Sequence, residues 1–493
     1  MANLSHNLVQ AAARHPRRPA LRMGEQVWTY AEVDVMSARV AAGLTADGLW
    51  PGDRVGLMLP NGPAFVVLYY GILRAGGTVV PINPLFKARE VEHYLSDSGT
   101  RRLFAAEQSM REAEPAARAT DTHLARIDPS DITAGAGAHE PLATVADRDG
   151  EATAAIFYTS GTTGHPKGAE LTHHNLARNA DAVTRLFELT EQDVVLGCLP
   201  LFHIFGQGCA MNTALQQGAC LVLLPRFDPA AVLHAIEQHR VTVFEGVPTM
   251  YAALLQQQSD ADTSSLRLCV SGGASLPVPV LHAFEQRFGC AVLEGFGMSE
   301  CSPVVSFNHL HRPRKPGSVG TPIKGVEVRV LAPDGTEVQG GAVGELAVRG
   351  HNVMTGYWQR PEATAEAIPD GWLRTGDLVR QDEDGYLFVV DRKKDMIIRG
   401  GYNIYPREIE DVLYEHPDIL EVAVIGIPHD TLGEDVAAAI VLRPGVEQRP
   451  DELRQFVKDR VAPYKYPRQI VFLDGLPKGG SGKVLKREIA IPR

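Results

Sequence analysis

A chain of 493 residues is too long for one compact core, so two or more domains are expected. Its 44% hydrophobic and 22% charged content is that of a globular protein, and a formal net charge of -11 lacks the basic footprint of a nucleic-acid binder, so any polyanionic ligand must be met locally. Six cysteines, Cys198, Cys209, Cys220, Cys269, Cys290 and Cys301, form no C-x-x-C pair and gather in one apolar region; they read as buried thiols of a reducing compartment, which predicts a cytoplasmic protein.

The N-terminal stretch has no signal-peptide apolar core, and Asn3-Leu4-Ser5 matches the glycosylation pattern by chance. The most apolar segment, 64–82, is broken by Arg74 and a Gly-Gly pair, so no membrane span is expected. Thr29 and Glu32 form a capping box ahead of Val33, Met36, Val40 and Leu44 at helical spacing. Residues 54–59 and 78–82 read as strands, and the alternation predicts a wound α/β sheet. Residues 103–149, rich in Ala, Asp and Gly, carry the weakest pattern and read as surface.

The stretch YTSGTTGHPKG, 158–168, puts hydroxyls and glycines around one lysine, as a backbone meeting phosphates requires. An apolar run at 152–158 enters it, and Leu176, Val183 and Leu186 follow at helical spacing, which predicts strand, tight loop, then helix. Those flanks weigh against a solvated linker, the bland reading of such a composition. It is not a Walker A loop, because Gly164 follows Gly161 after two residues and Gly168 follows Lys167. GGSGK at 479–483 fails the same pattern at Pro477 and Val484.

In three stretches, 241–248, 266–277 and 291–300, an apolar strand runs into Gly or Pro, where α/β proteins place ligands. Short strands and turns from 317 to 390 predict a small β-barrel. A charged break at Asp391 divides an N-terminal domain, 1–390, from a C-terminal α+β domain, 391–493.

Taken in order, YTSGTTGHPKG, LPLFHIFGQ, GGASL, EGFGMSE, GELAVRG, WLRTGDL, VDRKKDMIIRGGYNIYPREIE and LPKGGSGKVLKRE resemble the adenylate-forming superfamily of acyl- and aryl-CoA ligases, adenylation domains and luciferases. LPLFHIFGQ and GMSECSPVVSFN are most similar to the fatty-acyl-CoA ligases. The resemblance implies a large N-terminal domain of two wound α/β subdomains and a small barrel, with a mobile C-terminal domain hinged at Asp391. It also implies a two-step reaction in which a carboxylate and ATP give acyl-AMP and pyrophosphate, and CoA then displaces AMP.

The same resemblance assigns roles. Thr159, Ser160, Gly161, Thr162, Thr163, Gly164 and Lys167 would hold the β- and γ-phosphates; Glu300 would carry Mg²⁺; Ser299, usually threonine in the family, would meet the α-phosphate. Gly272, Gly273, Ala274, Phe296 and Gly297 would shape the adenine slot, and Asp377 with Arg392 would hold the ribose. Lys483 would bridge the attacking carboxylate and the α-phosphate. His203 would gate the acyl pocket, whose apolar wall would be Phe205, Gly206, Phe244, Val247, Met250, Met298 and Val304. Gly400 and Gly401 would leave a narrow channel for pantetheine. His309 and His311 belong to a surface loop, with no partner ligand at metal spacing. Alternatives are loading of a carrier-protein phosphopantetheine, an aryl-CoA ligase, and a non-catalytic nucleotide sensor, which would have no need to keep Glu300, Asp377 and Lys483 together. The absence of an aspartate at Phe202–His203 argues against amino-acid substrates.

Overall fold

The structure is a computed structural model, and it describes residues 3–159, 166–338, 340–480 and 482–491. The Thr29 hydroxyl accepts from the Glu32 N–H while the Glu32 carboxylate accepts from the Thr29 N–H, and this box opens the helix Tyr30–Ala46. Val33, Val40 and Leu44 of that helix are buried, as the periodicity predicts.

Two large sheets dominate. A seven-stranded sheet runs Gly356–Tyr357, Lys167–Thr172, Thr153–Thr159, Thr78–Pro81, Arg54–Met58, Arg102–Ala106 and His123–Ile127. A nine-stranded sheet has a parallel centre made of Ala291–Gly297, Leu268–Ser271, Val243–Gly246, Val194–Gly197, Cys220–Leu223 and Pro19–Met23. Parallel strands covered on both faces need continuous apolar runs, which most of these segments carry; Glu245 and Glu294 interrupt two of them.

Two regions differ from the sequence reading. Within 103–149, the strand Arg102–Ala106, the helix Met110–Ala119 and the strand His123–Ile127 complete the seven-stranded sheet, with Leu103, Phe104, Ala113 and Ala116 buried. The helix buries alanines, whose short side chains pack closely but give little hydrophobic contrast to read. Within 317–390, four antiparallel strands, Val326–Leu331, Gly344–Gly350, Leu373–Gln381 and Leu387–Arg392, make a small sheet where the sequence predicts a barrel.

From Ile397 on, a separate sheet and the helices Pro406–Tyr414 and Pro450–Lys458 enclose a core of their own, with Ile409, Leu413, Val424, Ile440, Leu453 and Val457 buried in it. Both helices start with proline at the first position, where a missing N–H costs nothing. All six cysteines are free and buried. Among the described residues no helix is long and apolar enough to cross a membrane.

Candidate active site

The phosphate-type loop connects two antiparallel strands. Tyr158 pairs with Gly168 and Thr159 with Lys167, and the helix His173–Leu186 begins only after the second strand, so the order is strand, loop, strand, helix. The segment 167–172 hides in the sequence because its apolar residues run straight into the helical pattern. Ser160, Gly161, Thr162, Thr163 and Gly164 lie outside the described residues. At the base of the loop, the Lys167 ammonium stands 5.3 Å from the centre of the Tyr357 ring.

Glu300 follows Ser299 in a single 3-10 turn, Ser299–Cys301, at the end of the strand Ala291–Gly297. The residue is 6% exposed, and its carboxylate accepts hydrogen bonds from the Thr159 hydroxyl at 2.9 Å and the Tyr357 hydroxyl at 3.1 Å. The two large sheets therefore meet at one acid. Tyr357 escapes the sequence reading, since an aromatic after glycine in MTGYW carries no spacing signal. Burial, then the Glu300 charge, pushes its phenol well above its ordinary range.

Asp377 and Arg392 are cross-strand partners in the small antiparallel sheet, with Arg392 Nε 3.5 Å from Asp377 Oδ1. Asp377 is 8% exposed. Burial raises its pKa, while Arg392 and then Lys483 oppose that rise.

Lys483 sits in a tight loop closed by Gly479 N–H donating to the Lys483 carbonyl at 2.8 Å. The loop docks on the large domain. The Thr249 hydroxyl donates to the Gly482 carbonyl at 3.3 Å, and a Cβ on Gly480 would stand 2.6 Å from the Asn83 amide nitrogen. Gly482, at φ +79°, faces Val247 with 3.0 Å for a Cβ. This close approach explains a glycine run that fits no phosphate-loop pattern. The Lys483 Cε lies 3.9 Å from where a Cβ on Gly273 would be. Lys483 is densely surrounded yet still touched by solvent, as a side chain in a cleft is. Burial and the positive charge of Arg392 lower its pKa to about 8, against the pull of Asp377 and Glu300.

Gly272 carries Phe205 over it, with 3.2 Å between a Cβ there and the ring; Gly273, at φ +81°, leaves Ala274 exposed beside it. Phe296, Gly297 and Met298 are partly buried, and Phe205, Gly206, Val247, Met250 and Val304 are buried. Phe244 is a correction. Its ring packs on Tyr251 at 5.3 Å and Phe284 at 6.4 Å, on the sheet face away from Phe205, because side chains alternate along a strand. His203 Nδ1 accepts the Phe205 N–H at 3.2 Å, so its ring proton sits on Nε2. Burial, helped by the Lys483 charge, brings its pKa down to about 4, which leaves the ring neutral near pH 7.

The remaining residues lie toward the C-terminal unit. Asp391 Oδ2 accepts the N–H of Arg407 at 3.0 Å, in the first turn of the helix Pro406–Tyr414, and its Oδ1 accepts the Arg392 N–H at 2.8 Å. Gly400 and Gly401, at φ +57° and +85°, are exposed and form the two-residue turn between Ile397–Arg399 and Tyr402–Ile404. Two left-handed residues in a hairpin turn favour glycine by themselves. His309 Nε2 lies 3.1 Å from the Thr321 hydroxyl, and His311 Nε2 lies 2.6 Å from Glu188 on the surface.

Known proteins are similar to this chain over nearly its whole length. The AMP-binding enzyme family matches residues 8–358, and the AMP-binding enzyme C-terminal domain matches residues 408–483. The chain is 37% identical to a long-chain-fatty-acid–CoA ligase of Bacillus subtilis (strain 168), over 98% of this chain and 93% of that protein. It is 41% identical to a feruloyl-CoA synthase of Amycolatopsis sp, over 98% and 97%. ATP-bound MatB from Rhodopseudomonas palustris superimposes with a TM-score of 0.93 at 35% identity, over 99% of this chain and 97% of that one; apo MatB gives 0.83 over the same shares. The docked Lys483 loop thus accompanies an overall shape nearer the ATP-bound form. The chain belongs to the AMP-binding enzyme family, with its C-terminal domain, and stands among its acid–CoA ligases.

Proposed function

We propose that this AMP-forming acid–CoA ligase activates a hydrophobic carboxylic acid, fatty or aryl, and passes it to the CoA thiol. The observation that carries the reading is the convergence of Lys483 with Asp377 and Glu300 beside Gly273, a cation and two carboxylates brought together from different parts of the chain. In the first step a carboxylate oxygen attacks the α-phosphorus of ATP and pyrophosphate leaves. Lys483, still mostly protonated near pH 7, neutralises charge on both reacting groups and fixes their approach. Asp377 accepts from the ribose hydroxyls with Arg392 beside it. Thr159, Lys167 and the loop between them hold the outgoing phosphates, and Ser299 meets the α-phosphate.

Mg²⁺ suits this donor set. Glu300 offers one hard, buried carboxylate beside the Thr159 and Tyr357 hydroxyls, and among the described residues no group of three or more His, Cys, Asp or Glu could hold a metal alone. That fits an ion taking most of its oxygens from phosphates and water. When bound, it would neutralise phosphate charge.

In the second step the thiol sulfur attacks the acyl carbon, AMP leaves and the thiol proton passes to solvent. The neutral His203 adds no charge to the acyl entrance and acts as a gate. The small domain turns about Asp391, withdraws Lys483 and presents the Gly400–Gly401 turn to the pantetheine arm.

The test is pyrophosphate release from a panel of fatty and aryl acids, with and without CoA. The expected result is release dependent on an apolar acid, with one thioester and one AMP formed per turnover. Acylation of a pantetheinylated carrier protein in preference to CoA would overturn the acceptor, and no release with any acid would overturn the reading itself.

A further inference from the structure

The strand Val243–Gly246 carries a glutamate in the middle of the nine-stranded sheet. Glu245 is 0% exposed, and among the described residues neither of its carboxyl oxygens has a hydrogen-bond partner. The Cys198 thiol beside it donates to the Glu245 backbone carbonyl, at 3.7 Å, and not to the side chain. Among the described residues no cation offsets its burial. A buried carboxyl that meets nothing is costly, and orphans of this kind call for an explanation.

The direction in which Glu245 points supplies one. Phe244 and Gly246 face the helices Pro248–Gln256 and Val278–Phe288, so Glu245 faces the opposite layer. Its cross-strand partner is Val270, and Gly272, two residues further on the same face, lies under the Phe205 ring. Glu245 therefore shares a face with the wall assigned to the acid's tail.

We propose that Glu245 is a specificity-determining residue whose carboxyl hydrogen-bonds a hydroxyl carried on the buried part of the acid, so that hydroxylated acids are preferred to wholly apolar ones of the same shape. This rests on the acid–CoA ligase reading. A hydroxyl fits better than an ammonium, because two buried ions would have to lose their hydration together. A site built to bond a hydroxyl rejects the analogue that lacks it far more strongly than an apolar wall rejects an extra methylene.

The experiment uses the full chain and matched acids: cinnamic and ring-hydroxylated cinnamic, octanoic and ω-hydroxyoctanoic, and the corresponding amines. It measures kcat/KM for pyrophosphate release in the parent, Glu245→Leu, Glu245→Met and Glu245→Gln. The expected parent preference for the hydroxylated member of the faster pair is roughly a hundredfold. Glu245→Leu should cut that ratio at least about tenfold while keeping or raising turnover of the plain acid, and Glu245→Gln should restore much of it. Glu245→Met, closer in shape, carries the comparison if the leucine variant fails to fold. An unchanged ratio in the apolar variant, or a parent preference for the plain or amino acid, overturns the proposal. No release from any acid by the parent overturns the ligase reading instead.

Discussion

At the scale of single residues, Lys483 decides between the two half-reactions. Lys483→Ala should lose acyl-AMP formation by roughly a hundredfold or more, about 3 kcal/mol, yet still convert supplied acyl-AMP and CoA to thioester. Equal damage to both steps, measured separately, would remove the lysine from its role. Because its pKa is lowered to about 8 in the free enzyme, kcat/KM for ATP should fall as pH rises through that value. Glu245 makes a stability prediction of defined sign. Burial raises its folded pKa from 4.5 to about 8, so between those values the folded chain keeps a proton that the unfolded chain has released. Stability contributed by this group is full below the lower value and is lost as pH rises through the upper one. Melting curves of Glu245→Gln should therefore gain on the parent progressively between about pH 5 and pH 8; a constant offset would show that the carboxyl is not protonated in the fold. Motif residues such as Glu300, Asp377 and Lys483 are legible in the sequence because their neighbours are distinctive. Glu245 and Tyr357 are not, since only the three-dimensional neighbourhood shows that one is orphaned and the other completes the Glu300 cluster.

At the scale of elements, capping boxes and long apolar runs read correctly, and short strands do not. Thr29 and Glu32 fix one helix start in the sequence and in the fold alike. The strand Lys167–Thr172 was hidden by the helix behind it, and the helix Met110–Ala119 by its alanines. The Gly400–Gly401 hairpin is the sharpest test at this scale, because a turn with two positive φ angles accounts for the glycines without a channel. A leucine at φ +85° costs about 1–2 kcal/mol in backbone strain, but in this arrangement a Cβ on Gly401 meets nothing within 4 Å. Gly401→Leu should thus be somewhat less stable, adenylate at the parent rate and accumulate bound acyl-AMP without making thioester. Parent-rate thioester formation would leave the pair as a turn only.

At the scale of the whole molecule, the buried core that ends at Leu387 and the one that begins at Ile397 are separate, and the charged run from Asp391 to Asp395 lies between them in the sequence. What no pattern in the chain reveals is the relative placement of the two bodies, which depends on a few long-range contacts. Asn83→Cys with Gly480→Cys should lock the docked pose on oxidation, allowing one round of acyl-AMP formation and blocking thioester release until a reductant is added. Unimpaired turnover of the oxidised pair, confirmed by mass, would show that no rotation is needed. The docked seam has a further consequence. Where the loop touches the large body, Gly480 and Gly482 offer no side chain to interlock, and the Thr249 contact is a single long hydrogen bond. A seam of that kind acts as a bearing: Lys483 aside, the glycines of the loop can part from the large body and return without a rotamer having to be pulled from a socket. The hold on the docked pose then falls to Lys483, and side chains added at Gly480 or Gly482, which never touch a reacting atom, should change the pace of the whole cycle.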